Sequence, residues 1–373
     1  MDRSAYRRAY RTAKQREYRD NSSRRLTAES IDRALIEAVS SLARDDDQTF
    51  LRVVARAATA FAGLPEAEVR ISERLRGMER RVVEPSMLDH FRIDGPAVVS
   101  FSGGRSSAYM MRKMLDAFGC SLPDWITVCF ANTGLEHAET LDFVRRCEEE
   151  WGVNVHWLEY DPDAPHRTRI VDYHSASRNG EPFAALNQKR TYLPNVVSRY
   201  CTVELKVRRI MMFAKHTLGL SRWYSVVGLR ADEPRRVERQ LRRAAERRDE
   251  GIPVMPMADA GINKADVARF WAGNSFDLKL PAVEGATLLG NCVGCYLKGK
   301  RKLVDIFRQY PQAANWWIEQ EKRFPSTVRP GDYCRFSSRW TYSDLLNLSN
   351  LTIADEIGNE ETELESIDCA CTD

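Results

Sequence analysis

The stretch from Pro96 to Leu115 reads PAVVSFSGGRSSAYMMRKML. Its first third is a continuous apolar and β-branched run, as in a strand buried on both faces. The run stops at Ser102-Gly103-Gly104, and an apolar-periodic stretch of helical spacing begins at once. Glycines let a backbone approach a ligand closely, and the N–H groups that open a helix favour an anion. Ser102, Ser106 and Ser107 add hydroxyls to the same loop. It is not a Walker A loop, because no Gly-Lys-Ser/Thr follows, and it is not G-x-G-x-x-G. A Gly-Gly pair alone marks any tight turn. Between a buried strand and a helix, this one predicts a phosphate cradle.

Outward from this loop the rhythm is strand, turn, helix. AYMMRKMLDAF is a helix closed at Gly119, WITVCFA a second strand, and NTGLE its turn. AETLDFVRRCEEEW is a second helix ended by Gly152, and VNVHWLEY a third strand. A long connection with Pro and Arg leads to a helix around CTVELKVRRIMMFAKHT and a strand WYSVVG. The alternation predicts an α/β fold, a doubly wound parallel sheet of Rossmann-like type. Ligands of such sheets bind outside the carboxyl ends of the strands. SGGRSS, NTGLE and GLRADE all fall there.

Residues 1–90 carry a different pattern. SIDRALIEAVSSLARD and QTFLRVVARAATAFAGL place apolar residues at three- and four-residue spacing, so a helical N-terminal extension is expected over 1–90. The α/β domain covers 95–345, and 346–373 form a tail that ends SIDCACTD. The 373 residues carry a net charge of +3, so nothing in the overall balance demands nucleic acid. The charge is uneven. Met1 to Arg25 holds nine Lys/Arg against three acids, and residues 229–250 hold eight Arg against six acids. Such runs serve as solvated helix faces or as patches for phosphate backbones. There is no apolar run long enough to span a membrane and no signal peptide, so a cytoplasmic protein without membrane contact is expected. In a reducing compartment nine cysteines suggest metal or redox chemistry rather than disulfides. Cys292-x-x-Cys295, flanked by glycines, suits zinc, iron–sulfur or a redox pair. Cys120, Cys129 and Cys147 fall on expected core elements. The six histidines show no metal spacing.

SFSGGRSS resembles the pyrophosphate loop of the PP-loop ATP pyrophosphatase superfamily. VCFANTGLEHAETLDFV, RYCTVELKVRRI and VVGLRADEPRR resemble three further motifs of its phosphoadenosine phosphosulfate (PAPS) reductase branch, where the second strand usually ends D-T-G. GNCVGCYLKGK with YPQAANWWIEQE is similar to phage and prophage proteins of PAPS reductase-like type. The resemblance covers about 95–345 and leaves 1–90 aside.

It implies that Ser102, Gly103, Gly104, Arg105, Ser106 and Ser107 hold the phosphates of ATP, PAPS or adenosine phosphosulfate (APS), with Mg²⁺. Phe130 and Ala131 would contact adenine, Thr133 and Gly134 shape the pocket, and Gly228 and Arg230 complete it from the fourth strand. Arg230 and Ser107 are the candidate catalytic groups, and Lys206 is a further candidate near the anion. Cluster-bearing relatives use a Cys-Cys pair where this chain has Tyr200-Cys201. Cys201, Cys292 and Cys295 remain, with Cys334 as the candidate fourth ligand of a [4Fe–4S] cluster or of Zn²⁺. Cys371, in the tail, loosely echoes the nucleophilic cysteine of true reductases.

Two enzymatic functions follow from the resemblance. In the first, ATP is cleaved between its α- and β-phosphates and an acceptor, such as nucleic acid, is adenylylated for sulfur transfer. In the second, PAPS or APS is reduced to sulfite. A nucleotide-sensing module of a phage or defence system is the non-enzymatic alternative.

Overall fold

The computed structural model describes residues 89–246, 251–281, 283, 287–325 and 333–351. The N-terminal extension expected over 1–90 lies almost wholly outside the described residues, as do Cys369 and Cys371 of the tail.

Six strands form one sheet in the order β4-β3-β2-β1-β5-β6. They are β1 (Ala97–Phe101), β2 (Ile126–Ala131), β3 (Val155–Tyr160), β4 (Thr168–Val171), β5 (Tyr224–Val227) and β6 (Ile252–Val254). All neighbours run parallel except β3 and β4. The sheet is therefore mixed at one edge rather than wholly parallel. A hairpin-like return at Pro165–Arg167 needs no crossover helix, so β4 folds back beside β3. The long connection after β3 holds both β4 and a helix, α3 (Glu181–Arg190), that the sequence pattern did not reveal.

Strand alternation sorts the core. Val99, Phe101, Val128, Phe130, Val155 and Trp157 share a cluster with Tyr109, Met110 and Met114 of α1 (Arg105–Ala117) and Leu141 and Phe143 of α2 (Ala138–Trp151). Val98, Cys129 and Leu158 point the other way and meet Phe213, Ala214 and Trp223. Both faces are thus covered, which is why these strands read as mainly apolar runs. Each fully buried large apolar side chain contributes roughly 1.5–3 kcal/mol.

The helical stretch after Cys201 is irregular. Its α-helical turn, α4 (Arg208–Met212), is flanked by π-helical turns at Thr202–Val207 and Phe213–Thr217. After β5 come α5 (Pro234–Glu246), a short α6 (Pro256–Asp259) and α7 (Lys264–Ala272). Helices α8 (Lys300–Gln309), α9 (Asn315–Arg323) and α10 (Tyr342–Ser349) build a second core. There Leu303, Phe307, Trp317, Phe336 and Tyr342 pack with Phe183 and Leu186 of α3.

Among the described residues no helix is long and apolar enough to cross a membrane. Cys129 and Cys147 are buried, but Cys120 is exposed, contrary to expectation. It stands two residues beyond the helix C-cap, at φ 72° after Gly119, where the chain has already left the core.

Candidate nucleotide site

The strand order reverses at β1: β2 and β3 lie on one side, β5 and β6 on the other. That switch point is where a crevice opens in such sheets, and the two strands that flank it end in SGGRSS and GLRADE. Gly103 has φ 78°, and a Cβ there would stand 2.8 Å from Thr140 Cγ2 and 3.1 Å from Phe130 Cε2. Only glycine fits between β1 and α2. Gly228 serves the other side, since a Cβ there would lie 3.1 Å from the Ser107 Cα.

The hydroxyls divide into two roles. Ser107 Oγ donates to the Gly104 carbonyl at 3.0 Å, receives the Ser102 N–H at 3.2 Å, and lies 2.8 Å from Ser102 Oγ. A hydroxyl has one proton and two lone pairs, so these bonds close the loop from within. Ser106 Oγ receives Arg230 Nη1 at 3.1 Å. Arg230 is 8% exposed, and its Nε donates to Asp232 Oδ1 at 2.9 Å. The guanidinium thus sits behind the first turn of α1, whose N–H groups have no partner inside the helix. Backbone dipoles of the α1 start and a guanidinium, itself paired with Asp232 and 3.7 Å from Glu233, stand side by side, an arrangement suited to a tetrahedral oxyanion. Arg105 is turned elsewhere. Its Nε and Nη2 reach Asp277 at 2.7 and 2.5 Å, and its carbonyl accepts from Trp271 Nε1.

The turn after β2 abuts this crevice. Thr133 N–H and Oγ1 both donate to Glu136 Oε2, at 2.9 and 2.8 Å. The Thr133 proton being so used, the Cys292 thiol, 3.3 Å away, is the donor to Thr133 Oγ1. Burial, with the Glu136 carboxylate nearby, pushes the Cys292 thiol well above the usual range, while Lys206 pulls the other way. Lys206 Nζ lies 3.4 Å from Glu136 Oε1, so the lysine is paired there. Phe130 is wedged between Phe101 and Trp157. His137 N-caps α2, with Nδ1 receiving the Glu139 N–H.

Cys292, Cys201 and Cys334 each have a hydrogen-bonding contact in this structure. Among the described residues no three Cys, His, Asp or Glu are gathered as metal ligands. Cys201 Sγ lies 3.3 Å from Tyr296 Oη, and Cys334 Sγ donates to the Pro325 carbonyl at 3.4 Å. Cys334 is held there because its N–H pairs with Phe324 O, beside a Pro325–Tyr333 bridge. Tyr200, which replaces one cysteine of the relatives' pair, is buried, and its single hydroxyl proton is shared between Asn187 Oδ1 at 3.0 Å and Tyr192 O. Cys201, Cys292, Cys295 and Cys334 nevertheless all pack against the second core, and they are the residues that would hold a cluster or Zn²⁺.

The C-x-x-C turn is organised by other groups. Lys298 Nζ donates to the Gly290 and Cys292 carbonyls, both at 2.8 Å. Trp317 Nε1 donates to Val293 O at 3.0 Å and Tyr342 Oη to Gly294 O at 2.5 Å. Sequence reasoning missed Lys298, Trp317 and Tyr342 in this role. Only Lys298, six residues past Cys292, stood near enough in sequence to be suspected. His166 and His216 are another surprise. They stack at 3.7 Å and 4° although 50 residues separate them in the chain.

Residues 96–279 match the family model of the phosphoadenosine phosphosulfate reductase domain. This stretch includes the strands, the glycine–serine loop and Arg230 of the crevice, with Cys292 beyond it, and is similar to that domain. An uncharacterized nin region protein, ORF290 of Escherichia phage lambda, is 28% identical over 215 residues, 55% of this chain and 67% of that protein. A solved phosphoadenylyl-sulfate reductase of Candida auris, in a phosphate complex, covers 55% of this chain and 88% of its own at 14% identity, with a TM-score of 0.32. That likeness is too distant to support any inference, and the fold class stands on the strand order itself.

Proposed function

We propose that the chain binds an adenine nucleotide at the switch point and cleaves ATP between its α- and β-phosphates to activate an acceptor for sulfur transfer. The observation that carries this reading is the Arg230–Ser106 contact behind the α1 N-terminus. It presets a cation and backbone donors where departing pyrophosphate gathers charge, and such preset groups cost no reorganisation during the reaction. Mg²⁺ enters with ATP as part of the substrate. Arg230 would bind and orient the anion. Ser102 and Ser107 would hold the loop, and Gly103 and Gly228 would let it close on the phosphates.

This chemistry needs no thiol nucleophile, which suits a crevice whose adjoining cysteine, Cys292, is only partly exposed and is hydrogen-bonded. Helix α5 follows Arg230 directly and carries Arg235, Arg239 and Arg242. That run supports a polyanionic acceptor such as nucleic acid.

A second reading, reduction of PAPS or APS to sulfite, is supported by the family match over 96–279. It needs a nucleophilic thiol, for which Cys371 is the candidate. Cys201, Cys292, Cys295 and Cys334 would be the residues to hold an iron–sulfur cluster, whose redox chemistry the first reading does not need.

The test is an anaerobic product assay. ATP, Mg²⁺ and total nucleic acid should give pyrophosphate and an adenylylated acceptor, and AMP once a sulfide donor displaces it. Sulfite and adenosine bisphosphate from PAPS plus a thiol reductant would replace the first reading with the second. Tight binding with neither product would leave a sensor.

A further inference from the structure

Glu159 stands near the carboxyl end of β3 and is completely buried. A buried carboxylate is tolerated only when it is fully partnered, and this one is. Oε1 receives Asn132 Nδ2 and the Ser177 N–H, both at 2.6 Å. Oε2 receives Ser177 Oγ at 2.8 Å and Arg169 Nη2 at 2.7 Å.

Asn132 is the hinge of the network. Its amide also donates to Ser177 O at 2.8 Å, and its Oδ1 receives the Gly134 N–H at 3.1 Å. Gly134 O then takes the Gly180 N–H at 2.8 Å, and a Cβ at Gly134 would lie 3.0 Å from Gly180 N. The turn 132–135, which carries Thr133 and Gly134, is thus fastened to the segment 177–180 through one buried carboxylate.

We infer that Glu159 is a positioning residue for nucleotide binding: acting through Asn132, it fixes the 132–135 turn that walls the crevice beside Ser102–Ser107. The inference rests on the nucleotide reading above. Asn132 matters as an amide because it must donate twice on one side and accept on the other. Asn132→Asp keeps the shape but sets carboxylate against carboxylate and removes both donations. Glu159→Gln keeps the shape but loses acceptors that Ser177 and Arg169 use.

The experiment reads two quantities on the full chain: equilibrium binding of ATP and of PAPS, and amide hydrogen exchange over residues 131–136 and 177–181 without nucleotide. Glu159→Gln and Asn132→Asp should each weaken binding by about tenfold, the loss of one charge-assisted hydrogen bond, and should speed exchange in both segments. The double variant N132D/E159Q restores one donor–acceptor pair and should lose less than the product of the two single effects. If neither core variant folds, Arg169→Gln at its half-exposed position should still weaken binding several-fold.

Unchanged exchange in the single variants overturns the network's hold on the turn. Faster exchange with unchanged affinity overturns the positioning role. A wild-type chain that binds neither nucleotide sinks the nucleotide reading, and the positioning role with it. The exchange data then show separately whether Glu159 holds the turn.

Discussion

Arg230 Nη1 and Ser106 Oγ meet at 3.1 Å across 124 residues of sequence, joining the end of β5 to the first turn of α1. A lysine cannot reproduce this, since it lacks the planar fork that serves Ser106 and Asp232 together. Arg230→Lys is expected to lower nucleotide affinity about tenfold, in line with the loss of a charge-assisted hydrogen bond. Titration calorimetry with ATP checks it. Affinity equal to wild type would remove Arg230 from the anion site.

Gly103 tests how closely β1 and α2 must approach. Alanine there is strained at φ 78° and meets Thr140 Cγ2 at 2.8 Å. Gly103→Ala should destabilise the fold by about 1–3 kcal/mol, read as a lower urea midpoint. Gly119→Ala, also at positive φ but with nothing within 4 Å, separates backbone strain from crowding. It should cost clearly less.

Tyr200 holds a buried polar chain. Its hydroxyl donates to Asn187 Oδ1, and Asn187 Nδ2 donates to Gln320 Oε1 at 3.0 Å. Tyr200→Phe keeps the ring and leaves a buried acceptor unpaired, at a cost of about 1–3 kcal/mol. Urea denaturation measures it. An unchanged midpoint would mean that the phenol contributes packing alone.

Glu321 makes stability depend on pH. Burial lifts its carboxyl to about 7, against two backbone N–H groups, of Tyr342 and Phe336, that pull it down. The folded state therefore binds a proton that the unfolded state has already released near the ordinary carboxylate value. This contribution is fully present below that value and is lost as pH rises through about 7. Urea midpoints should fall between pH 5 and pH 8, and Glu321→Gln should flatten the fall. A wild-type midpoint that rises across this window would contradict the assignment.

Thiol accessibility follows the fold. Iodoacetamide in native buffer should label Cys120 well before Cys129, Cys147 and Cys292, as mapped by peptide mass spectrometry. Early labelling of Cys292 would open the crevice wall that Thr133 and Glu136 build.

Much of this molecule was legible in its residues. Apolar runs at 97–101 and 126–131, broken only by Ser100 and Thr127, announced strands covered on both faces. The glycines and serines at 102–107 announced a close-approach loop at a helix start. Those signals are local, because strand burial and turn chemistry act over a few residues. The antiparallel β4 was not legible, since four residues at an edge carry too little pattern. Nor was the use of the cysteines. C-x-x-C spacing describes a turn, but which groups the fold brings beside its thiols and to its carbonyls is not written in that spacing. Here Lys298, Trp317 and Tyr342 arrive from three places. The sequence by itself determined β1, β2, β3 and β5, the helices α1 and α2 and the glycine–serine loop between β1 and α1, because periodicity and glycine act at short range. Only the tertiary structure decided that Arg230 meets Ser106, that Glu159 meets Asn132, and that Cys201 and Cys334 share a core with the C-x-x-C turn, because contacts between distant segments are set by how the elements pack.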